Sequence, residues 1–260
     1  MIKIMDDKKI KDMIRSKYGQ IVKNNSCCGV GCCCSGQMRF TMKEDYSPLE
    51  GYERIADFGL GCGLPTEFAR IRKGDTVIDL GSGAGNDCFV ARAHTGETGR
   101  VKGIDFTPEM TSKAKQNASA LGYSNVEFHA GDIETMPVPD HVADVVISNC
   151  VLNLLPSKKK IFHEIFRVLK PGGHFCISDV VLTGELPADL KENVDLYTGC
   201  IAGAIQKELY LKYISEAGFT HVAVQKENEI ALPEQVSDHY RGTFSVLSVT
   251  VTGEKPLFNN

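Results

Sequence analysis

The chain has little that would tie it to nucleic acid, to a membrane or to export. Of its 260 residues, 29 are Lys or Arg and 33 are Asp or Glu, for a formal net charge of −4. The basic residues form no stripe of the kind that phosphate neutralisation requires, so no nucleic-acid partner is expected. No run of about 18 apolar residues occurs, so no membrane span is expected either. The opening stretch MIKIMDDKKIKDMIRSKYG is charged and amphipathic and lacks the apolar core of an export signal. A cytoplasmic protein is the expectation. Internal repeats are missing, and no Cys-x-x-Cys pair or His partner has structural-zinc spacing.

The remaining composition, 42% hydrophobic and 24% charged, suits a globular protein with a well-filled core. Ten cysteines stand out. Without an export signal, unpaired thiols point to packing, metal binding or catalysis rather than to disulfides. Cys27, Cys28, Cys32, Cys33 and Cys34 crowd into one Gly-rich tract, and Cys62, Cys88, Cys150, Cys176 and Cys200 are dispersed.

Apolar periodicity predicts a helix over 7–24, a loop over 25–47, and a short helix, a turn and another short helix over 48–70. A β/α alternation follows. Strands are expected at 76–80, 101–105, 126–129, 143–147 and 174–178, with helices at 86–95, 108–121 and 157–169. The last of these helices is expected to stop at Lys170-Pro171-Gly172-Gly173. Helices at 187–198 and 206–217 come next, then two near-alternating strands at 220–227 and 243–252 that pair at a sheet edge. Strands alternating with helices imply a doubly wound α/β sheet with ligands at the carboxyl ends of its strands.

Those carboxyl ends carry a polar series. Asp79-Leu80-Gly81-Ser82-Gly83-Ala84-Gly85 closes the first strand with glycines that let the backbone turn tightly and approach a ligand. Asp105 ends the second strand, where a carboxylate can accept both hydroxyls of a ribose. Asp132 and Ile133 follow the third, suited to an exocyclic amine and the face of a purine. Asn149 follows the fourth. Met110, at the start of the helix after the second strand, either touches the same ligand or packs. Asp105, Asp132 and Asn149 can each also be read as a helix cap or turn residue. The series, with Lys170-Pro171-Gly172-Gly173, resembles the class I S-adenosylmethionine-dependent methyltransferases over about residues 70–180. The resemblance implies a Rossmann-like, seven-stranded, mostly parallel sheet with an antiparallel edge strand. It places Asp79, Gly81, Ser82, Gly83 and Gly85 on the methionine side of the cofactor, Asp105 on the ribose, and Asp132 and Ile133 at the adenine.

Methylation of oxygen or nitrogen usually needs a base or an aromatic cage, and no His or Tyr is obviously placed for either. Three cysteines stand there instead. Cys150 follows Asn149 at the mouth of the sheet, Cys62 lies in a Gly-Cys-Gly turn before the core, and Cys200 lies at a helix break after the fifth strand. Thiolates bind soft, thiophilic centres. Trivalent arsenic on three sulfurs keeps a lone pair that can attack a sulfonium methyl without a base. The bland alternative is that each cysteine is a small buried hydrophobe.

Four segments, Gly61-Cys62-Gly63-Leu64-Pro65, Asp79 to Cys88, Ser148-Asn149-Cys150-Val151-Leu152-Asn153-Leu154 and Tyr197-Thr198-Gly199-Cys200-Ile201-Ala202-Gly203-Ala204, are together similar to the arsenite methyltransferase family, and the likeness runs over most of residues 8–255. It implies that Cys62, Cys150 and Cys200 bind As(III) together, and that arsenite or its glutathione conjugates are the acceptor. Successive transfers give mono- and dimethyl products and sometimes the trimethyl one. Glutathione or thioredoxin is the implied thiol reductant. Family members carry a vicinal Cys pair near the N-terminus. Cys27-Cys28 matches it, implying arsenite capture or a disulfide role, although the added Cys32-Cys33-Cys34 departs from that pattern. The expected organisation is an N-terminal segment over 1–70, a cofactor-binding core over 71–182, and acceptor-covering helices with edge strands over 183–260. Rival readings are a methyltransferase of another small molecule and a metalloid-binding sensor.

Overall fold

The structure, a computed structural model, describes residues 6–23, 44–191, 193–232, 240 and 242–257. The predicted loop over 25–47 falls largely outside the described residues, and Cys27, Cys28, Cys32, Cys33 and Cys34 fall outside them altogether.

The chain opens with helix α1 (Asp7–Lys23), passes a 3₁₀ turn at Arg54–Ala56 and the single-turn helix α2 (Pro65–Phe68), and enters the β/α alternation. This comprises β1 (Thr76–Leu80), α3 (Asn86–Thr95), β2 (Arg100–Asp105), α4 (Pro108–Ala120), β3 (Val126–Ala130), β4 (Ala143–Asn149), α5 (Lys158–Val168) and β5 (Leu169–Gly184). Short helices α6 (Ala188–Lys191) and α7 (Val194–Thr198), then α8 (Lys207–Glu216), lead to the hairpin partners β6 (Thr220–Glu229) and β7 (Phe244–Glu254).

The strands form one seven-stranded sheet in the order β3-β2-β1-β4-β5-β7-β6. β1 to β5 are parallel, β7 runs antiparallel to β5, and β6 runs antiparallel to β7. The α/β class and the antiparallel pairing at one edge agree with the sequence reading. Alternation along β1 decides which layer each residue serves. Ile78 and Leu80 pack with α5 and α8 side chains such as Phe162 and Tyr210, whereas Val77 packs with α3 and α4 side chains such as Phe89 and Ala114. A third apolar cluster lies apart from these layers. It joins Ile10 and Ile14 of α1, Val180 and Leu182 of β5, Leu196 and Tyr197 of α7, and Cys62, Cys150 and Cys200.

Two expectations change in detail. β5 begins immediately after α5, so Lys170-Pro171-Gly172-Gly173 lies within the strand, at a register irregularity against β4. β5 also runs on to Gly184, because β7 pairs with it over that whole length. The single helix predicted over 187–198 is two short ones. Asn193 makes the break, its Oδ1 accepting from Leu196 N at 3.0 Å and so starting α7 afresh.

Candidate active site

The carboxyl ends of β1, β2 and β4 open onto a cleft of about 870 Å³, a volume that includes space open to solvent. Its floor is the glycine turn after β1. Gly81 has φ 67° and presses on Val151, where an added Cβ would sit 2.3 Å from Val151 Cγ2. Gly83 has φ 52°, and the nearest atom to a Cβ there would be Met110 Sδ at 3.9 Å, so its backbone faces open space.

Asp105 lines the cleft and is held by backbone. Its Oδ2 accepts from Gly83 N at 3.0 Å and its Oδ1 from Thr107 N at 2.7 Å. The Thr107 side chain bonds the same carboxylate, and of its roughly four acceptor positions room remains for a ligand hydroxyl. Ser82 Oγ and Asn86 Oδ1 are buried without a partner, and both residues line the same cleft. Unsatisfied buried polar atoms are rare, and two on one wall fit a polar ligand with hydroxyl and amine groups. Met110 lines the cleft as well. Asp79 and Gly85 do not. The Asp79 carboxylate is buried, accepts from Cys88 Sγ at 3.2 Å and is pushed up by burial and by nearby Asp87. Asp132 and Ile133 are also off the cleft wall. Asp132 pairs with Lys11 Nζ of α1 at 2.6 Å, alongside Glu134, and Ile133 belongs to the main core.

Helix α1 therefore lies across the strand ends. Besides Lys11, its Arg15 Nε reaches Phe106 O at 3.3 Å and its Tyr18 hydroxyl reaches Thr198 O at 3.1 Å. Ile14 and Tyr18 line the cleft.

Beside the cleft the structure brings Cys62, Cys150 and Cys200 together. Cys150 lines the cleft, and its thiol lies against those of both Cys62 and Cys200. All three are buried and free. Those thiol contacts, together with burial, hold Cys150 well above the usual thiol range, and burial raises Cys62. Among the described residues no group of three or more His, Cys, Asp or Glu side chains is arranged to hold a metal ion. The Cys150 thiol stands next to both of the others. Two of them sit on strained backbone: φ is 58° at Cys150 and 65° at Cys200. A non-glycine residue there costs about 1–2 kcal/mol, and such strain concentrates at functional positions. Cys88 and Cys176 lie away from this cluster, in the α3/α4 layer.

Sequence reasoning missed the polar shell around the thiols. Asp179 is fully buried in β5, accepting from Asn153 Nδ2 at 2.9 Å, Val180 N at 2.9 Å and the Tyr210 hydroxyl at 3.3 Å. Burial pushes its carboxyl up to about 7, and its charge contributes to raising Cys62. Lys158 is buried nearby and lowered by that burial. An Asp inside an apolar strand is a signal that was available, since such residues are seldom buried without a purpose. On the cleft side, Asn149 does not simply face the cleft. It bonds Tyr46, Asp87 and the turn that carries Cys62.

A glycine-floored cleft at the carboxyl ends of a seven-stranded sheet of this order, with a buried carboxylate at the end of β2, defines a class I methyltransferase. A methyltransferase-domain family model matches residues 71–218. An arsenite methyltransferase of Halobacterium salinarum is 40% identical, the match covering 98% of this chain and 69% of that protein. The human arsenite methyltransferase is 30% identical over 94% of this chain and 67% of its own length. Among solved structures, an arsenic(III) S-adenosylmethionine methyltransferase from Chlamydomonas reinhardtii superposes with a TM-score of 0.68 at 34% identity, covering 75% of this chain and 68% of that one. The chain belongs to the arsenite methyltransferase family. No helix among the described residues is long and apolar enough to cross a membrane.

Proposed function

We propose that this protein methylates arsenite with S-adenosylmethionine as the methyl donor, as part of arsenic detoxification in the cytoplasm. The observation that carries the proposal is the meeting of Cys62, Cys150 and Cys200 beside the cleft, with Cys150 on its wall. In this reading residues 71–182 supply the cofactor core, and residues 1–70 and 183–260 bring two of the three thiols to it.

S-adenosylmethionine, when bound, supplies an electrophilic methyl on a sulfonium. Asp105 accepts the ribose hydroxyls, and the backbone at Gly81 and Gly83 together with Ser82 receives the methionine portion. Asp79 and Gly85 support that turn from behind. Met110 contributes an apolar wall. Asp132 would meet the adenine while Lys11 keeps its tie to Glu134, and Ile133 backs that position from the main core. Asn149 stands between the two sites.

The acceptor chemistry suits thiols that keep their protons. Undissociated arsenous acid exchanges its three hydroxyls for three sulfurs, and each thiol proton leaves in a water molecule. No charge is created in the buried cluster, so the raised Cys62 and Cys150 are no obstacle. Bound in this way, arsenic keeps a lone pair, and the three sulfurs hold it toward the cleft. Proximity and orientation are then the main source of acceleration. The products are mono- and dimethylarsenicals, with trimethylarsine where a third transfer follows. Arsenite reaches the site free or as its glutathione conjugate. A thiol reductant, glutathione or thioredoxin, returns two electrons after each transfer, and the Cys27-Cys28 pair either captures arsenite or relays those electrons through a disulfide.

The test is an assay of purified protein with S-adenosylmethionine, glutathione and arsenite, arsenic species being separated by chromatography and quantified by mass spectrometry. Methylated arsenic is expected. Its absence from protein that binds the cofactor would overturn the proposal in favour of an organic acceptor. Tight arsenite binding without transfer would point to a sensor.

A further inference from the structure

We infer that Asn149, backed by Tyr46 and Asp87, is a positioning residue that sets the place of Cys62. The catalytic consequence rests on the arsenic reading above, whereas the positioning itself does not. The Gly61-Cys62-Gly63 turn is held by side chains rather than by a strand or helix. Asn149 Oδ1 accepts from Cys62 N at 3.0 Å, and Asn149 Nδ2 donates to Gly63 O at 2.8 Å. From β7, Ser248 Oγ donates to Cys62 O at 2.5 Å. One amide thus grips the turn on both sides of the cysteine.

The grip needs the flanking glycines. A Cβ at Gly61 would lie 2.6 Å from Asn149 Nδ2, and one at Gly63 would lie 2.5 Å from Ser178 Oγ. No side chain fits at either place while the turn stays seated.

The amide is itself oriented. Asn149 Nδ2 donates to the Tyr46 hydroxyl at 2.5 Å, and that hydroxyl donates to Asp87 Oδ1 at 2.9 Å. The ordered chain of donors leaves Oδ1, not Nδ2, facing Cys62 N. A carboxylate at 149 would still accept from Cys62 N, but it would set negative charge against Gly63 O and Asp87. Asn149, Tyr46 and Asp87 all line the cleft. The same three residues that wall the cofactor side therefore fix one sulfur of the acceptor side.

The test uses the full chain with Asn149→Asp and Tyr46→Phe. Alkylation of each cysteine by iodoacetamide is followed by peptide mass spectrometry, S-adenosylmethionine affinity by equilibrium dialysis, and kcat and KM by methylarsenical formation. In Asn149→Asp, Cys62 is expected to react about tenfold faster while Cys88 and Cys176 stay as protected as in the wild type, since a lost buried hydrogen bond is worth about that factor. The KM for arsenite rises by a similar factor, and cofactor affinity, to which Asn149 contributes as a wall residue, changes by less than the Cys62 rate. Tyr46→Phe moves the same quantities in the same direction by about threefold. An unchanged Cys62 rate with a tenfold loss of cofactor affinity would overturn the inference and make Asn149 a cofactor ligand. If Asn149→Asp also exposes Cys88 and Cys176, Tyr46→Phe decides, and an unchanged Cys62 rate there overturns it. A wild type that makes no methylated arsenic defeats the arsenic reading and leaves the alkylation comparison to judge the positioning.

Discussion

The thiol of Cys200 donates to the main-chain carbonyl of Cys150 across 2.9 Å, so two cysteines fifty residues apart are joined sulfur to backbone as well as sulfur to sulfur. A serine hydroxyl can make the same bond but is a poor partner for a thiophilic atom. Cys200→Ser is therefore expected to fold normally, with a melting temperature close to the wild type, yet to lose methylarsenical formation by about a hundredfold or more, the scale of a misplaced reactant. Cys150→Ser is expected to lose it too while still binding S-adenosylmethionine. Wild-type turnover in either variant would remove that cysteine from the acceptor site.

Gly63→Ala tests how tightly the first thiol is seated. The new methyl would meet Ser178 Oγ and Cβ at 2.5 and 2.6 Å. Both atoms belong to a buried residue in β5 and cannot swing away. A loss of about 1–3 kcal/mol in denaturant unfolding is expected, the usual cost of overpacking. A variant as stable as the wild type would mean that the turn can lift off the sheet at little cost.

Asp179 gives the protein a pH signature. Its carboxyl titrates near 7 when folded and near the ordinary value of 3.8 when unfolded, so the native state keeps the proton longer. The resulting stability is fully present below about pH 4 and is lost as the pH rises through about 7. Asp179→Asn preserves a side-chain acceptor for Asn153 and Val180 without titrating. Urea unfolding at pH 5 and pH 8 is expected to show the wild type losing on the order of a few kcal/mol relative to the variant. Parallel behaviour of the two proteins would place the carboxyl's titration elsewhere.

Lys11 ties α1 to the strand ends through Asp132 and Glu134. Lys11 and Asp132 are partly exposed and Glu134 is nearly covered, so Lys11→Ala is expected to cost about 1 kcal/mol in stability. Release of bound cofactor should nonetheless accelerate several-fold, because the helix that covers the cleft loses its anchor. The chain contains no Trp for intrinsic fluorescence, so rapid filtration of radiolabelled S-adenosylmethionine is the suitable measurement. An unchanged release rate would mean that α1 does not retain the cofactor.

The parallel strands were legible because burial on both faces leaves short apolar cores, such as Val77-Ile78 within Thr76–Leu80 and Val145-Val146-Ile147 within Ala143–Asn149. The glycine turn and Cys150 were legible because each sits where such a run stops, whereas Cys62 and Cys200 were legible through the likeness of their segments to the family. The polar residues around them were not. Tyr46 lies in a segment with no periodicity, and Asp87 reads as an ordinary first-turn acid of α3. Their roles come from contacts across tens of residues, to Asn149 and to each other. The same holds for Lys11, whose partners are more than a hundred positions away. The break at Asn193 escaped notice because a capping side chain and a helix-interior one look alike until the backbone is seen.

At Cys150 and Cys200 the main chain adopts a conformation that glycine would occupy with less strain. Selection for durability alone would favour exchanging each of these side chains for a hydrogen atom, and on the proposed reading each exchange would yield a sturdier, inert protein. On that reading, cysteine at both positions marks a trade-off resolved toward activity. A stabilised version of this enzyme must therefore be sought elsewhere in the fold, with these two bends left as they are.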